Sequence, residues 1–399
     1  MLTTPTQQRS IVLGITGGIA AYKAAELVRL LVKQQYEVQV VMTEAACQFI
    51  TPATLQALSG KPVYTNLWDN SIANGMPHIE LSRNAQAIVI APASADFLAK
   101  IAHGFANDLL STLCLARDCQ LIVAPAMNKQ MWENPATQRN MTQLCKDGLT
   151  ILGPDAGEQA CGEIGLGRML EPEDIMAGIE AHFTPKLMHG KSIMITAGAT
   201  LEMIDPVRAI TNLSSGKMGY ALAQVAANMG AQVTLVSGVS GLNPPTNVHT
   251  IQALSAENMH QTVMQHISSQ DIFIGVAAVA DYSPTEIASQ KIKKSEESLT
   301  LHLKRNKDIL ADVANLPNAP YCVGFAAETE NILEYARKKR IAKRLPMIIA
   351  NQATHAMGSD TNQVTIIDDQ GEYPLAQASK LDIATKILTH LSQNLGHYA

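Results

Sequence analysis

A strand followed by a glycine-rich turn and an amphipathic helix occurs at the start of each half of this chain. The first copy runs from "IVLGIT" through "GG" to "AAYKAAELVRLLVKQ", and the pattern restarts near residue 190 with "SIMITAGAT" and "GKMGYALAQVAANMG". Further short apolar runs alternate with helical patterns, an order that is typical of parallel sheets covered by helices. We therefore predict an α/β protein with two doubly wound parallel-sheet domains, over residues 1–189 and 190–399, the second of them Rossmann-like.

The predicted strands are the apolar runs that separate the helical patterns. In the first half they are "EVQVVM", "AIVIAP", "QLIVAP" and "LTIL", and in the second "AQVTLVSG", "DIFIGV", "LTLHL", "YCVGFA", "PMIIA" and "QVTIID". In open parallel sheets, ligands bind outside the carboxyl ends of the strands. Candidate functional residues are therefore sought where each of these runs ends.

Composition limits the class of protein. Of the 399 residues, 47% are hydrophobic and 16% are charged, and no apolar run approaches the ~18 residues that indicate a membrane span. The first residues, "MLTTPTQQRS", lack the basic and apolar regions of a secretory signal. Six cysteines without a CxxC pair or zinc spacing favour reduced thiols. With a net charge of −5, we expect a cytoplasmic protein that binds neither membranes nor nucleic acid.

Small and hydroxyl-bearing residues follow the first three strands of the first half. Gly17 and Gly18 lie between a strand and a helix start, where backbone amides can approach a phosphate. Their spacing from Gly14 does not match GxGxxG, which favours a mononucleotide over NAD, although a simple tight turn is the alternative. Thr43 and Ser94 follow the next two strands and offer hydroxyl groups to the same site.

The stretch "PAMNKQMW" follows another strand and contains a neutral amide between soft apolar side chains. Asn128 can donate and accept hydrogen bonds, so it can bind a carboxylate or an amide, while Met127 would pack against a ligand or form part of the core. His78 lies at a predicted helix start, where capping is the alternative role. Cys161 lies in a glycine-rich segment, a setting that suits an accessible, reactive thiol.

Five segments of the first half, "GGIAAYK", "PHIEL", "APASADFLAK", "PAMNKQMW" and "ACGEIGLGRM", resemble the flavin-dependent cysteine decarboxylases, in particular the phosphopantothenoylcysteine decarboxylases. The resemblance implies a flavodoxin-like fold that binds FMN and forms trimers. It also implies that His78 is an active-site histidine, Asn128 binds the substrate carboxylate and Cys161 donates a proton. In this chemistry, oxidation of the substrate thiol to a thioaldehyde makes loss of CO2 possible, and an acid then reprotonates the ene-thiol.

The second half carries basic residues in a cluster. Of its 17 Lys and Arg residues after position 190, 12 lie between Lys291 and Arg344, which suggests a polyanion such as a nucleoside triphosphate, with solvated helix surface as the alternative. Arg208 and Asn212 precede "SSGKMG", which predicts an anion site but does not match a Walker A loop. Asp281 follows a buried strand and could hold a metal ion that bridges phosphates, or cap a turn.

These segments resemble the phosphopantothenate–cysteine ligases, and with the first half the resemblance covers nearly the whole chain. It implies dimers of this half, and with the trimers a large homo-oligomer such as a dodecamer. It also implies that CTP with Mg²⁺ activates phosphopantothenate as an acyl-cytidylate, which cysteine then attacks. Asn212 is implied in conversion of the acyl-cytidylate and Arg208 in substrate binding, with Asp281 also at the metal. The implied nucleotide contacts are Asp281, Lys291, Lys307, Asp308, Ile309, Leu310, Phe325, Lys339 and Lys343.

One position departs from the family pattern. The family often has Pro immediately before the Asp of "KDIL", and this chain has Lys307, so a role for that side chain is open while backbone contacts should persist. The sequence disfavours two alternative functions. A nicotinamide oxidoreductase with tandem Rossmann domains is disfavoured by the missing GxGxxG, and a non-enzymatic regulatory subunit by the missing acidic tail.

Overall fold

The computed structural model describes residues 9–68, 76–160, 162–245, 247–293, 299–328, 330–352 and 358–395. Contacts between residues divide the chain into two compact units, Met1–Phe183 and Thr184–Ala399. Among the described residues, no helix is both long enough and apolar enough to cross a membrane.

The first unit is built on a parallel sheet of five strands. They are β1 (Ser10–Ile15), β2 (Glu37–Met42), β3 (Ala87–Ala93), β4 (Gln120–Pro125) and β5 (Thr150–Ile151). Their spatial order is β2-β1-β3-β4-β5, so the direction of winding reverses between β1 and β3. This is the flavodoxin-like order, in which the crevice at the reversal point is the usual ligand site.

Eight helices and one hairpin complete the described part of this unit. The helices are α1 (Ala21–Lys33), α2 (Pro52–Ser59), α3 (Pro77–Arg83), α4 (Ala95–Ala102), α5 (Leu109–Ala116), α6 (Lys129–Glu133), α7 (Pro135–Lys146) and α8 (Pro172–Phe183). The hairpin pairs β6 (Asp155–Glu158) with β7 (Ile164–Arg168) in an antiparallel arrangement.

Residue alternation along the strands supplies a core on each face of this sheet. Ile11 and Leu13 of β1 pack on the face covered by α1 and α8, whereas Val12 packs on the other face with α4, α5 and α7. In α1, apolar residues recur at the spacing of one helical face and are buried, among them Ala24, Leu27 and Leu31. Burial on both faces explains why these strands are almost wholly apolar.

The second unit has a larger sheet. Its strands are β8 (Ser192–Ala197), β11 (Gln232–Ser237), β12 (Val248–Gln252), β13 (Ile272–Gly275), β16 (Tyr321–Glu328), β17 (Met347–Gln352), β18 (Thr361–Ile367) and β19 (Glu372–Ser379), and the smaller strands β9 (Leu201–Met203), β10 (Ala209–Thr211), β14 (Tyr282–Pro284) and β15 (Leu303–Arg305) form two separate pairs. The order is β12-β11-β8-β13-β16-β17-β18-β19. The first six strands are parallel, in the order of a Rossmann fold, with the reversal between β8 and β13. The helices are α9 (Lys217–Asn228), α10 (Ala256–His266), α11 (Ile309–Ala314), α12 (Ile332–Ala342) and α13 (Lys380–Leu395).

The predicted fold class, an α/β chain with two doubly wound parallel sheets, is confirmed, with two local differences. First, β18 and β19 are antiparallel additions to the sheet. Second, the strand predicted at "LTLHL" is wrong, because only its last residue, Leu303, belongs to a strand, and that strand pairs with β14 outside the main sheet. Leu299, Leu301 and Leu303 alternate as in a half-buried strand, yet all three are exposed in this chain.

Candidate active sites

A cavity of about 740 Å³ lies at the reversal point of the first sheet, where β1 and β3 end. Its volume is within the range of small-molecule and cofactor sites. Most of the lining comes from the turns that follow β1, β3 and β4 and from the β6–β7 hairpin. The lining residues used below are Gly17, Gly18, Ile19, Tyr22, Ser94, Met127, Asn128, Met131 and Gly167.

The two glycines after β1 differ in their surroundings. A Cβ on Gly17 would lie 2.6 Å from the Cβ of Ala45, so this position is filled from within the protein. A Cβ on Gly18 would meet no atom within 4 Å, so this position faces open space in the cavity wall. Because α1 begins three residues later, at Ala21, a ligand phosphate could approach the backbone there.

Ser94 positions the start of α4 at the end of β3. Its Oγ accepts a hydrogen bond from the Phe97 N–H at 3.2 Å, and its own N–H donates to Thr16 Oγ1 at 2.9 Å. Thr43, the other hydroxyl residue predicted here, accepts a hydrogen bond from the Ala46 N–H at 3.2 Å. Within the described residues it is not part of the cavity lining, and its observed contact is that of a turn residue.

Asn128 is the N-cap of α6, and both polar atoms of its side-chain amide form hydrogen bonds. Its Oδ1 accepts from the Gln130 N–H at 2.8 Å, and its Nδ2 donates to Glu163 Oε2 at 2.5 Å. Gln130 Nε2 donates to the other oxygen of the same carboxylate, Glu163 Oε1, at 2.7 Å. Asn128 and Gln130 therefore hold one carboxylate between two neutral amides. Sequence reasoning missed Gln130 and Glu163, although both lie within the segments that carried the resemblance.

The other two predicted catalytic residues of this unit are placed differently. His78 is the second residue of α3, and its Nδ1 is buried without a hydrogen-bond partner in the described part of the chain. It is not among the described residues that line the cavity. Cys161 lies outside the described residues.

A cavity of about 170 Å³ in the second unit collects most of the predicted nucleotide contacts. Its walls come from the segment after β13, the start of α11, β16 and α12. The predicted residues in its lining are Asp281, Lys307, Asp308, Ile309, Leu310, Phe325, Lys339 and Lys343. Lys291 is exposed and lies outside this lining, as judged from the described residues.

Charged groups in this cavity are paired within the protein. Asp308 begins α11, accepts from the Ala311 N–H at 3.1 Å and forms an ion pair with Lys343 at 2.6 Å. Burial raises the pKa of Asp308, but its hydrogen bonds to Lys343 and to the Ala311 amide outweigh burial and hold the pKa below its usual value. Lys339 Nζ donates to the Phe325 carbonyl at 3.0 Å, and burial, with the nearby charge of Lys343, lowers the pKa of Lys339. A bound polyanion would favour the charged form of both lysines.

Lys307, at the position that departs from the family pattern, is also paired. Its Nζ donates to Glu257 Oε1 of α10 at 3.1 Å. Both side chains are half exposed, so this pair contributes little to stability. Lys307 is nevertheless part of the cavity lining, where Pro could supply no charge.

The loop that carries Arg208 is anchored by a buried carboxylate. Asp205 is fully buried, and its carboxylate accepts from Arg208 Nε at 2.9 Å and from the Ile292 N–H at 3.2 Å. The hydrogen bond from Arg208 is the main reason that the pKa of Asp205 lies far below its usual value. Arg208 Nη2 also donates to the Ile292 carbonyl at 3.0 Å, so the pair fixes the segment next to Lys291. Asp205 was not identified from the sequence, because nothing distinguishes it from a surface aspartate.

The predicted anion segment lines a third cavity, of about 100 Å³, at the reversal point of the second sheet. Ser214 and Lys217 belong to its lining, and it shares Phe325 with the 170 Å³ cavity. Asn212 is outside both linings among the described residues; its Nδ2 donates to the Ala278 carbonyl at 3.0 Å. Within the described ranges, no group of three or more His, Cys, Asp or Glu residues could hold a metal ion.

Fold and cavities together define a protein with two α/β ligand-binding units, each with its site at the reversal point of a doubly wound sheet. Comparison with known families agrees with this division. Residues 2–184 match the Flavoprotein family, and residues 188–395 match the DNA/pantothenate metabolism flavoprotein C-terminal domain.

Similar proteins cover almost the whole chain. The Coenzyme A biosynthesis bifunctional protein CoaBC of Vibrio vulnificus is 50% identical over 395 residues, or 98% of each chain. Those of Escherichia coli and Bacillus subtilis are 50% and 43% identical, and cover 91% and 96% of this chain and 92% and 97% of their own. The chain belongs to this family of bifunctional coenzyme A biosynthesis proteins. It is a flavoprotein and an enzyme that joins a decarboxylase to a ligase.

Solved structures are similar to parts of this chain. The C-terminal domain of a CoaBC protein is 42% identical, covers 53% of this chain and 99% of its own, and has a TM-score of 0.47. A PPC decarboxylase mutant complexed with pantothenoylaminoethenethiol is 34% identical, covers 44% of this chain and 99% of its own, and has a TM-score of 0.42.

Proposed function

We propose that the first unit converts phosphopantothenoylcysteine to phosphopantetheine and CO2, with FMN bound in the 740 Å³ cavity. The observation that carries this proposal is the pair of neutral amides, Asn128 and Gln130, which together hold a carboxylate beside that cavity. A carboxylate is the group that the reaction removes. Neutral amides can orient it without a cation, which would stabilise the carboxylate and oppose its loss.

The cavity residues fit FMN. Open space at Gly18 and the start of α1 suit a phosphate, and Met127 and Met131 supply apolar surface for a ring. When bound, FMN supplies a two-electron acceptor, which makes decarboxylation of a cysteine derivative feasible. In this proposal, Asn128 binds the substrate carboxylate, His78 acts before CO2 is lost, and Cys161 donates the proton that completes the product.

Product analysis of two variants tests these roles. Cys161→Ser should release CO2 but accumulate a product two hydrogens short of phosphopantetheine, since a hydroxyl is a much weaker acid than a thiol. His78→Asn should release no CO2. Normal phosphopantetheine formation by Cys161→Ser, or CO2 release by His78→Asn at the wild-type rate, contradicts the assignment. Mass spectrometry of the products distinguishes these outcomes.

We also propose that the second unit ligates phosphopantothenate to cysteine with CTP through an acyl-cytidylate. Three lysines that line one cavity, Lys307, Lys339 and Lys343, support a triphosphate ligand. Mg²⁺ would be held by Asp281 together with phosphate oxygens, in keeping with its preference for few protein carboxylates. Arg208 and Asn212 would bind and convert the acyl intermediate. Asn212→Asp should bind CTP normally and stall at the acyl-cytidylate, and full ligase turnover by this variant would remove Asn212 from the mechanism. For the wild-type protein, equal pyrophosphate release with ATP and with CTP would refute the preference for CTP.

Residues 1–189 and 190–399 are proposed to be separate decarboxylase and ligase domains. The first should fold and bind FMN alone, and the second should catalyse ligation alone.

We further propose a homo-oligomer, with trimers of the first domain and dimers of the second. Ile19 and Tyr22 line the cavity of the first unit and are more than 60% exposed in the single chain. Their exposure supports an oligomer in which another copy of the chain covers this cavity. A mass measurement in solution tests the oligomer, and a monomer at micromolar concentration would exclude it.

A further inference from the structure

Glu163 occupies the position in which the proposed function requires a substrate carboxylate. One of its oxygens accepts from Asn128 Nδ2 at 2.5 Å, and the other accepts from Gln130 Nε2 at 2.7 Å. Charge-assisted hydrogen bonds of this kind are stronger than those between neutral groups. A ligand carboxylate can therefore reach the two amides only by displacing Glu163.

The hairpin that carries Glu163 has other attachments to the same corner. The Met127 N–H donates to the Gly167 carbonyl at 2.9 Å, and the Lys129 N–H donates to Gln159 Oε1 at 3.0 Å. Gly167 has φ +137°, and a Cβ there would lie 2.4 Å from the Met127 carbonyl oxygen, so β7 packs directly on the turn before α6. These contacts do not involve the Glu163 carboxylate. The side chain can leave the amides while the hairpin stays attached.

We infer that Glu163 is an internal carboxylate that competes with the substrate carboxylate for Asn128 and Gln130, and so sets the selectivity of the site between substrate and product. This inference rests on the proposed decarboxylase function. The substrate carries a carboxylate and replaces Glu163 at the two amides. The product has lost that carboxylate as CO2, so nothing in the product competes with Glu163 for the amides. The product therefore binds less tightly than the substrate.

Competition of this kind makes a prediction that a purely structural role does not. Removing the internal carboxylate should tighten binding of the substrate and leave binding of the product unchanged. If the amides are free of Glu163 for about a tenth of the time, the gain in apparent affinity is about tenfold. A structural role would weaken binding of both ligands together.

The experiment compares Glu163→Ala and Glu163→Gln with the wild-type full chain loaded with FMN. CO2 release from phosphopantothenoylcysteine gives KM and kcat, and added phosphopantetheine gives an inhibition constant. We expect Glu163→Ala to lower KM about three- to tenfold with an unchanged inhibition constant for the product, and Glu163→Gln to change KM less in the same direction. The matched control is Glu133→Gln, which removes a carboxylate from α6 that pairs only weakly with Lys129, at 3.9 Å, in the described structure, and should leave both constants unchanged.

An unchanged or raised KM in both Glu163 variants overturns the inference, as does a parallel change of KM and the product inhibition constant. The near-isosteric Glu163→Gln keeps the test valid if Glu163→Ala fails to fold. Failure of the proposed function gives a different result, because the wild-type protein would then release no CO2 from phosphopantothenoylcysteine.

Discussion

Gly18 offers a direct test of the flavin site, because a methyl group there should affect the ligand without affecting the fold. A Cβ at this position meets no protein atom within 4 Å, and the backbone does not have a positive φ. Gly18→Ala should therefore change the free energy of unfolding of the FMN-free protein by no more than about 0.5 kcal/mol. Reduced flexibility of the unfolded chain even favours the variant slightly.

The same methyl group would project into the cavity where the backbone is proposed to approach the FMN phosphate. Forcing a methyl group into a close contact costs about 1–3 kcal/mol. This corresponds to FMN binding that is weaker by a factor of about 5 to 150. We expect flavin titration of the FMN-free protein, followed by absorbance and flavin fluorescence, to show this loss.

Gly241→Ala is the matched control. Its Cβ would also meet no atom within 4 Å, without a positive φ, but Gly241 belongs to the second unit and is not part of the flavin cavity. It should leave both stability and FMN affinity unchanged. FMN affinity of Gly18→Ala within twofold of wild type would refute the proposed approach of the phosphate to this turn. A large loss of stability in Gly18→Ala would refute the description of open space.

Three further predictions concern the second unit. Burial lowers the pKa of Lys339, so its charge is lost at a lower pH than that of an ordinary lysine. Nucleotide KM should therefore rise with pH already below the ordinary lysine pKa of about 10.4, and Lys339→Arg should shift that rise to higher pH. Because the pKa of Asp308 is lowered in the folded protein, its ion pair with Lys343 stabilises the fold above the unfolded pKa of about 3.9, and this stabilisation is lost as pH falls through the lower folded pKa. Lys343→Met should reduce this acid dependence of thermal unfolding and raise nucleotide KM about tenfold or more. Asp205→Asn should abolish most ligase activity through release of Arg208, while CO2 release by the first unit stays at the wild-type rate, and equal loss of both activities would contradict a local role.

The sequence predicts the parts of this fold that depend on local pattern. Buried parallel strands are nearly continuous apolar runs, so strands such as Glu37–Met42 and Gln120–Pro125 are found from composition alone. Predicted strands also locate the turns that follow their carboxyl ends. The predicted ligand-site residues Gly18, Ser94 and Asn128 lie in such turns, and all three line one cavity. What the pattern could not give is pairing: "LTLHL" alternates like a strand, but no neighbour in the main sheet accepts it.

Contacts between residues far apart in the chain were not predictable in the same way. Asp308 and Lys343 are 35 positions apart and meet only because β16 and α12 fold back across the start of α11. Likewise, Glu163 reaches Asn128 from 35 positions away through the β6–β7 hairpin. A single sequence contains no information on such pairs beyond charge complementarity, which many other pairs satisfy equally well. The fold was therefore easier to predict than the partners of the residues in its sites.

The two units have the same type of fold but cavities that differ in the charge of the residues lining them. In both, a cavity lies at the reversal point of the sheet, where the connections from two adjacent parallel strands lead away in opposite directions and leave space. The first unit lines its cavity with glycines, methionines and neutral amides, whereas the second lines its proposed nucleotide cavity with lysines such as Lys339 and Lys343. A triphosphate carries several charges that must be balanced, so lysines are suited to it. A carboxylate that leaves as CO2 must be oriented without strong stabilisation. In the proposed mechanism, the neutral amides of Asn128 and Gln130, which hold the Glu163 carboxylate in the folded chain, meet that requirement.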